Sequence, residues 1–263
     1  MDFRELPPMG SRIAAQTSGR GGVQVRGRNA AVMRWALLVF IFASIVSAAA
    51  TVARAENNNC GEPPDASNYM AQPGDTEDAQ HMAMERRFTG EGTLELNVCS
   101  GELHIKRGHG DRLTLRIDTV SSPDLKMRAY VKTFDVSGDR ATITLQFPRK
   151  MHSVLVLELP STASLKSEIN LGAGKVYFDA EEIKGNRQVN LGAGDAYLIM
   201  ADDRGYANFE ANVGMGSFHD RRPGGRSSHF IISRNYQGKG NGSLEVNVGA
   251  GSIDIDPTGG GTI

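Results

Sequence analysis

The sequence predicts an all-β protein, a repetitive β-solenoid-like stack of short strands turning at glycine corners. Three observations predict it. The phrase Asn170-Leu171-Gly172-Ala173-Gly174 returns as Asn190-Leu191-Gly192-Ala193-Gly194, as Asn212-Val213-Gly214-Met215-Gly216 and as Asn247-Val248-Gly249-Ala250-Gly251, with a fainter copy at Asn97-Val98-Cys99-Ser100-Gly101. Apolar residues alternate with polar ones on both sides of each copy, the period of a strand with one buried face. No helical period is sustained after the first 55 residues. Self-similarity of this kind marks architectures in which each unit buries its apolar edge only against its neighbours. A β-sandwich with repeated hairpins is the alternative, since it also yields alternation and glycine corners.

Residues 1–55 read as a leader. Arg26, Arg28 and Arg34 precede the uncharged stretch Trp35–Ala53, which opens strongly apolar, drifts to Ser and Ala and ends in Ala53-Arg54-Ala55. That is the layout of a secretory signal cleaved before Glu56. The competing reading is an uncleaved membrane anchor, because a span takes about 20 apolar residues. The Gly- and Arg-rich segment before Met33 has no apolar period, so Met33 is an alternative start to Met1. Cys60 follows three asparagines rather than small apolar residues, which argues against lipid anchoring. The leader carries seven Arg and two acidic residues of the chain's 29 basic and 30 acidic ones, so the remainder has 22 basic and 28 acidic residues, a net charge of −6. A mildly acidic domain has no general attraction for nucleic acid or anionic lipid. The expected location is the periplasm, the cell surface or the medium, with membrane contact only through an uncleaved leader.

Residues 56–90 read as a polar linker, with Pro63-Pro64 and Pro73-Gly74. The single β domain is expected over residues 91–255. It opens with alternation at Leu94, Leu96 and Val98, continues at Leu113, Leu115 and Ile117 and again at Ala141, Ile143 and Leu145. The run Val154–Leu159 is apolar on both faces and reads as a fully buried central strand. Residues 91–160 are expected to cap or open the stack at one end. The main repeats then fill residues 165–255, and the Gly-rich residues 256–263 form a tail.

Within each repeat, parity places Ile169, Leu171 and Ala173 on one side, as it does Val189, Leu191 and Ala193, then Ala211, Val213 and Met215, then Val246, Val248 and Ala250. After the second glycine the parity flips, to Val176 and Phe178, Ala196 and Leu198, Phe218, and Ile253 and Ile255. One extra residue at the same place in every copy is a bulge or corner, which glycine suits because it tolerates φ > 0 and close backbone approach. The expected corner residues are Asn97 and Gly101; Asn170, Gly172 and Gly174; Asn190, Gly192 and Gly194; Asn212, Gly214 and Gly216; and Asn247, Gly249 and Gly251. Alternation puts the asparagines outside, where stacked turns would align them into a hydrogen-bonded ladder or leave them as plain turn residues. The copies are 20, 22 and 35 residues apart, so the last gap holds an extra hairpin or a surface loop. Cys99 stands in the place of a first glycine, outward by parity. Two cysteines in an exported chain pair more often than not, so a Cys60–Cys99 disulfide is expected.

Patterns that invite a catalytic or cofactor reading fail on inspection. Gly172-Ala173-Gly174-Lys175 lacks both the upstream glycine and the following Ser or Thr of a phosphate loop. Gly192-Ala193-Gly194-Asp195 resembles half of a calcium-binding repeat, but the equivalent residues are Lys175, Ser217, Ser252 and Glu102, so no carboxylate recurs in register. Asp202-Asp203 and His219-Asp220 are the only acid or His pairs worth weighing for hydrolysis, and adjacent acids in a loop are ordinarily solvated turn residues. No metal, cofactor or catalytic residue is expected. The most distinctive surface is the 35-residue gap. There Arg221, Arg222, Arg226 and Tyr236, with His229 and Phe230, could meet an anionic or sugar polymer, or the Phe230–Ile232 run could be an ordinary core strand.

These N-h-G-x-G phrases (h apolar), the early alternating strands and the apolar strand closing at Leu159-Pro160 resemble the bacterial putative-adhesin domain family over residues 91–255. That resemblance implies a β-solenoid and no catalytic residues. The functional expectation is an exported, non-enzymatic cell-envelope protein that presents a β surface to a glycan or protein ligand. The alternatives are an envelope polysaccharide-active enzyme working through Asp202 and Asp203, and a periplasmic structural or sensory domain with a protein partner.

Overall fold

The computed structural model describes residues 69–257, except 89–90, 121–125, 149, 162–163 and 181–183. The leader, Cys60 and the tail beyond residue 257 lie outside the described residues. The described chain is nearly all strand: β1 (Thr76–Glu77), β2 (His81–Arg87), β3 (Thr93–Arg107), β4 (Arg112–Thr119), β5 (Val131–Ser137), β6 (Arg140–Leu145), β7 (Ser153–Leu159), β8 (Lys166–Asp179), β9 (Asn186–Ile199), β10 (Asn208–Asp220), β11 (Ser227–Gln237) and β12 (Ser243–Asp256). A single 3-10 turn, Met127–Tyr130, leads into β5. Among the described residues no helix is long and apolar enough to cross a membrane.

All twelve strands join one sheet. Its central run is β3-β8-β9-β12-β10, five long strands paired in parallel. Each contains one copy of the repeated phrase, and the copies pair in strict register: Asn97 beside Asn170, Asn170 beside Asn190, Asn190 beside Asn247, Asn247 beside Asn212. Identical sequences paired without offset bring each residue type beside its own kind, and the columns of the sheet follow from that. Before the corner the inner columns are Leu96-Ile169-Val189-Val246-Ala211 and Val98-Leu171-Leu191-Val248-Val213. After it they are Leu103-Val176-Ala196-Ile253-Phe218 and Ile105-Phe178-Leu198-Ile255, and all of these side chains are buried. The two arms of each strand therefore contribute to one core. Each fully buried Leu, Ile or Phe side chain contributes about 1.5–3 kcal/mol relative to exposure.

The parity flip follows the first glycine, two residues earlier than the sequence pattern places it. Ala173, Ala193 and Met215 are exposed and Ala250 is half-buried, so the third member of each alternating triplet lies outside the corner, not within the core. The strand turns at the first glycine, and the second glycine, Gly174, Gly194, Gly216 or Gly251, takes φ between 131° and 152°. Here a side chain is also excluded by space. A Cβ on Gly174 would overlap the carbonyl oxygen of Gly101 on the neighbouring strand, and the same relation recurs along the column.

Four further readings change. Cys99 is buried rather than outward: β6 leaves β3 at Val98 and β7 joins it at Glu102, so the segment between those strands crosses the corner there. β7 is central, between β4 and β3, but it buries only Ser153, Leu155, Leu157 and Leu159, while Val154, Val156 and Glu158 stay half-buried. Strand structure begins at Thr76, inside the stretch read as linker, because Met82 and Met84 supply a short buried alternation in β2, which pairs with β4. The copies also do not stack in chain order. β12 lies between β9 and β10. The 35-residue gap holds β11, which pairs antiparallel along β10 before the chain returns as β12 to fill the slot that β10 left open.

The stack ends differently on its two sides. Beyond β3 the arms separate, one continuing through β6 and β5, the other through β7, β4, β2 and β1. Beyond β10 the single strand β11 covers both arms.

Candidate binding surface

The asparagine column forms a continuous hydrogen-bonded ladder. Asn170 Nδ2 donates to Asn97 Oδ1 (3.0 Å), Asn190 to Asn170 (2.8 Å), Asn247 to Asn190 (2.9 Å) and Asn212 to Asn247 (3.0 Å). Their amides also reach the residue two positions back, with Asn97 donating to Glu95, Asn212 to Glu210 and Asn247 to Glu245 at 2.8–2.9 Å. Each amide is thus committed to protein partners, which makes this outer face a structural seam rather than a free recognition surface.

Outside the second arm, the column Glu102-Lys175-Asp195-Ser252-Ser217 lies beside His104-Tyr177-Tyr197-Asp254-His219. The first column holds the residues that stand where a calcium repeat needs carboxylates, and a lysine and two serines occupy it. Among the described residues, no group of three or more His, Cys, Asp or Glu side chains is placed to hold a metal ion. In the second column, His104 stacks on Tyr177 at 4.6 Å between ring centres, and Tyr177 stacks on Tyr197 at 4.9 Å. The ring faces are spent on one another, leaving edges outward, so the row offers little flat surface to a sugar ring. Burial, with the Glu102 and Asp195 carboxylates nearby, holds the Tyr177 hydroxyl above its usual range.

The candidate catalytic groups are separated or engaged. Asp202 accepts from the Arg204 guanidinium (2.6 Å) and backbone N–H (2.8 Å), and these bonds hold its carboxyl below the ordinary carboxylate value. Asp203 pairs with Lys239 at 2.9 Å. A carboxyl held ionised, as that of Asp202 is, is a poor proton donor for glycoside cleavage. His219 and Asp220 point to opposite sides of β10. The His219 ring lies 3.1 Å from Ser217 Oγ and 3.2 Å from Ser227 Oγ, with no carboxylate hydrogen-bonded to it, while Asp220 is buried. The flanking strand amides are committed to the ladder with β11 and β12, so this Ser–His contact lacks the free donors of an oxyanion site.

The basic gap also divides. Arg222 is not a surface residue: its side chain is 9% exposed and pairs at 2.8 Å with Asp220, itself 2% exposed. It donates to the Tyr206 hydroxyl (3.0 Å) and lies 5.2 Å from the ring centre of Tyr236. Burial opposes its charge, but the bonds to Asp220 and Tyr206 outweigh it and raise the guanidinium above its usual value. Tyr236 packs against the core and stacks on Phe209. Both belong to the closure of the stack. Arg221 is exposed and reaches Asp254 (3.3 Å) and Asp256 (3.6 Å), and Arg226 is exposed in the β10–β11 turn.

Beside the exposed Arg226, the gap also exposes apolar side chains. Of the run Phe230-Ile231-Ile232, only Ile232 is buried; Phe230 is 68% and Ile231 60% exposed. Phe230 takes φ 83°, where β11 passes the corner of β10 and the register slips between Val213 and Gly216. Met215, 62% exposed, lies on β10 at the same corner. The signal was in the sequence, because three successive apolar residues cannot all face inward at a period of two.

Solved structures similar to this chain include the following three. A putative cell adhesion protein from Clostridium sporogenes is 14% identical, with a TM-score of 0.42, covering 66% of this chain and 97% of that one. A putative adhesin from Parabacteroides distasonis is 10% identical (TM-score 0.24, 68% and 71% covered), and one from Parabacteroides merdae is 8% identical (TM-score 0.26, 69% and 83% covered). No family model and no curated protein matches the chain.

Proposed function

We propose that this is an exported, non-enzymatic protein of the cell envelope that presents a β surface for adhesion or binding, and that the β10–β11 corner is its contact surface. The observation that carries the reading is the exposure of Met215, Phe230 and Ile231 together on two paired strands at one end of the stack. Large exposed apolar groups grouped in this way mark interaction sites more often than scattered ones do. The fit is to a protein surface. Aliphatic and aromatic side chains beside a strand edge that has one neighbour suit an apolar patch and an extended partner backbone. A glycan would need open ring faces, which the His104-Tyr177-Tyr197 stack does not offer. Export rests on the leader sequence, and a Cys60–Cys99 disulfide would tie the N-terminal segment to the buried side of the first corner.

The test is binding of the purified protein to isolated envelopes of its source cell, with some envelopes stripped by protease and others by glycosidases. Binding should saturate, disappear after protease and weaken tenfold or more in the Phe230→Ser, Ile231→Ser double variant, as for loss of a buried aromatic anchor. Unchanged binding by that variant, or loss only after glycan removal, would overturn the proposal.

A further inference from the structure

Arg187 breaks the pattern of the stack. It has the inward parity of Val189 and Leu191. Its register neighbours in the same inner column are Ser167 on β8 and Leu244 on β12, followed by Leu94 and Phe209. The other four side chains in that column are buried. The guanidinium leans across the trough, its Cζ 5.9 Å from the Phe178 ring centre on the second arm. Two other little-exposed arginines have carboxylate partners, Arg222 with Asp220 and Arg86 with Asp75 at 2.6 Å, and a third, Arg234, donates to the Ser228 hydroxyl. Arg187 has neither a hydrogen bond nor an ion pair among the described residues, and its Nε is buried without a partner. Ser167 is 2% exposed, and its Oγ is also buried without a partner. Neighbouring strands lie about 4.8 Å apart, so the buried Arg187 Nε and the buried Ser167 hydroxyl, neither with a partner, stand on adjacent strands of an apolar wall, while Arg187 as a whole is half-buried. Burial pushes the Arg187 guanidinium down to about 10, which leaves it charged at neutral pH.

Partly burying a cation without a carboxylate partner is costly, and replacing it by an apolar group of similar length removes that cost. The geometry points to a ligand that supplies what the fold omits. We propose that Arg187 and Ser167 form a carboxylate-binding site at the inner edge of the parallel stack. The planar guanidinium takes the two carboxylate oxygens in a fork, the Ser167 hydroxyl donates a further bond, and Phe178 and Leu244 border the ligand's apolar part. The terminal patch at β10–β11 plays no part in this site, so the proposal stands or falls independently of the adhesion reading.

Acetate is the probe. In a buffer of fixed ionic strength, acetate replaces chloride stepwise, and unfolding is followed by far-UV circular dichroism. The wild-type protein should show a saturable rise in Tm of about 5–10 °C at concentrations near a hundred times Kd. Arg187→Met should show no rise, and its Tm without acetate should equal or exceed that of the wild type. Ser167→Ala should keep the rise but need several-fold more acetate. As a readout that does not depend on stability, the ¹³C line of labelled acetate should broaden with wild-type protein and not with Arg187→Met. Absence of a saturable rise in the wild type, or an equal rise or equal broadening with Arg187→Met, would overturn the site. A polygalacturonate oligomer run in parallel separates the sources. Competition with acetate assigns the site to carboxylates carried on a polymer as well, and its absence restricts the site to small free carboxylates.

Discussion

Placing a methyl group on Gly194 tests the corner most directly. Gly194 has φ 131°, a conformation L residues rarely adopt, and its Cβ would overlap the Gly174 carbonyl oxygen while lying 2.8 Å from that residue's carbonyl carbon. Carbon atoms settle at about 3.5–4.0 Å, so β8 and β9 must separate by roughly 1 Å at the corner. That takes the nearest ladder bonds out of hydrogen-bonding range. Two buried backbone bonds lost at about 1 kcal/mol each, with about 1–3 kcal/mol of backbone strain, give a destabilisation of about 3–5 kcal/mol. Gly138 is the control. It also has positive φ (60°), but nothing lies within 4 Å of its Cβ position, so Gly138→Ala carries only the left-handed penalty of about 1–2 kcal/mol. Urea unfolding followed by far-UV circular dichroism measures both. If Gly194→Ala costs no more than Gly138→Ala, close approach of the stacked corners is not what requires glycine there, and the account of the repeat fails.

Other perturbations separate the supporting parts. Asn190→Ala removes one rung to Asn170 and one from Asn247 and should cost about 1–3 kcal/mol in the same assay, whereas Asn235→Ala, on an exposed position of β11, should cost under about 0.5 kcal/mol. Asp220→Asn strands the buried Arg222 charge and should cost about 3–5 kcal/mol, with Asp220→Asn/Arg222→Met recovering much of it; an additive double variant would show that the pair is not coupled. Asp75 anchors the N-terminal segment: burial pushes its carboxyl up, but bonds from Arg86, the Tyr69 hydroxyl and the Gln72 N–H outweigh this and hold it below the ordinary 3.8. The stability it contributes is therefore complete above about pH 4 and lost as pH falls through the depressed value, so protection factors for hydrogen exchange in β2, taken relative to the intrinsic rate at each pH, should fall at acid pH in wild type and be already low and less pH-dependent in Asp75→Asn. Thiol titration of the exported protein should find none before reduction and two after it if Cys60 and Cys99 pair.

Much of the corner could be read in the sequence because its cause is local. The N-h-G-x-G phrase, the existence of a flip at it and the equivalence of Lys175, Asp195, Ser252, Ser217 and Glu102 are statements about spacing, and in-register pairing turns spacing into columns; the exact residue of the flip was not legible. The surface was harder to read. Arg222 and Tyr236 look like exposed basic and aromatic residues until Asp220 and Phe209 are brought beside them. Phe230 and Ile231 look like core until β11 is forced past the corner of β10. Arg187 sits at an inward position that alternation alone assigned to no role.

The sequence by itself determined that this chain builds strands with one repeated corner, with asparagine outside and aliphatic groups inside, because alternation of period two sorts side chains to opposite faces; that the asparagines stack into a ladder it left open. It did not determine which copies are neighbours. Any two copies present almost the same edge, so in-register pairing is nearly degenerate among them. Only the tertiary structure decided the order. β11 turns back on β10, the chain returns along the remaining open edge, and the last copy, Asn247–Gly251, closes between the second and third. The terminal strand, its exposed corner and the closed column around Arg187 all follow from that choice.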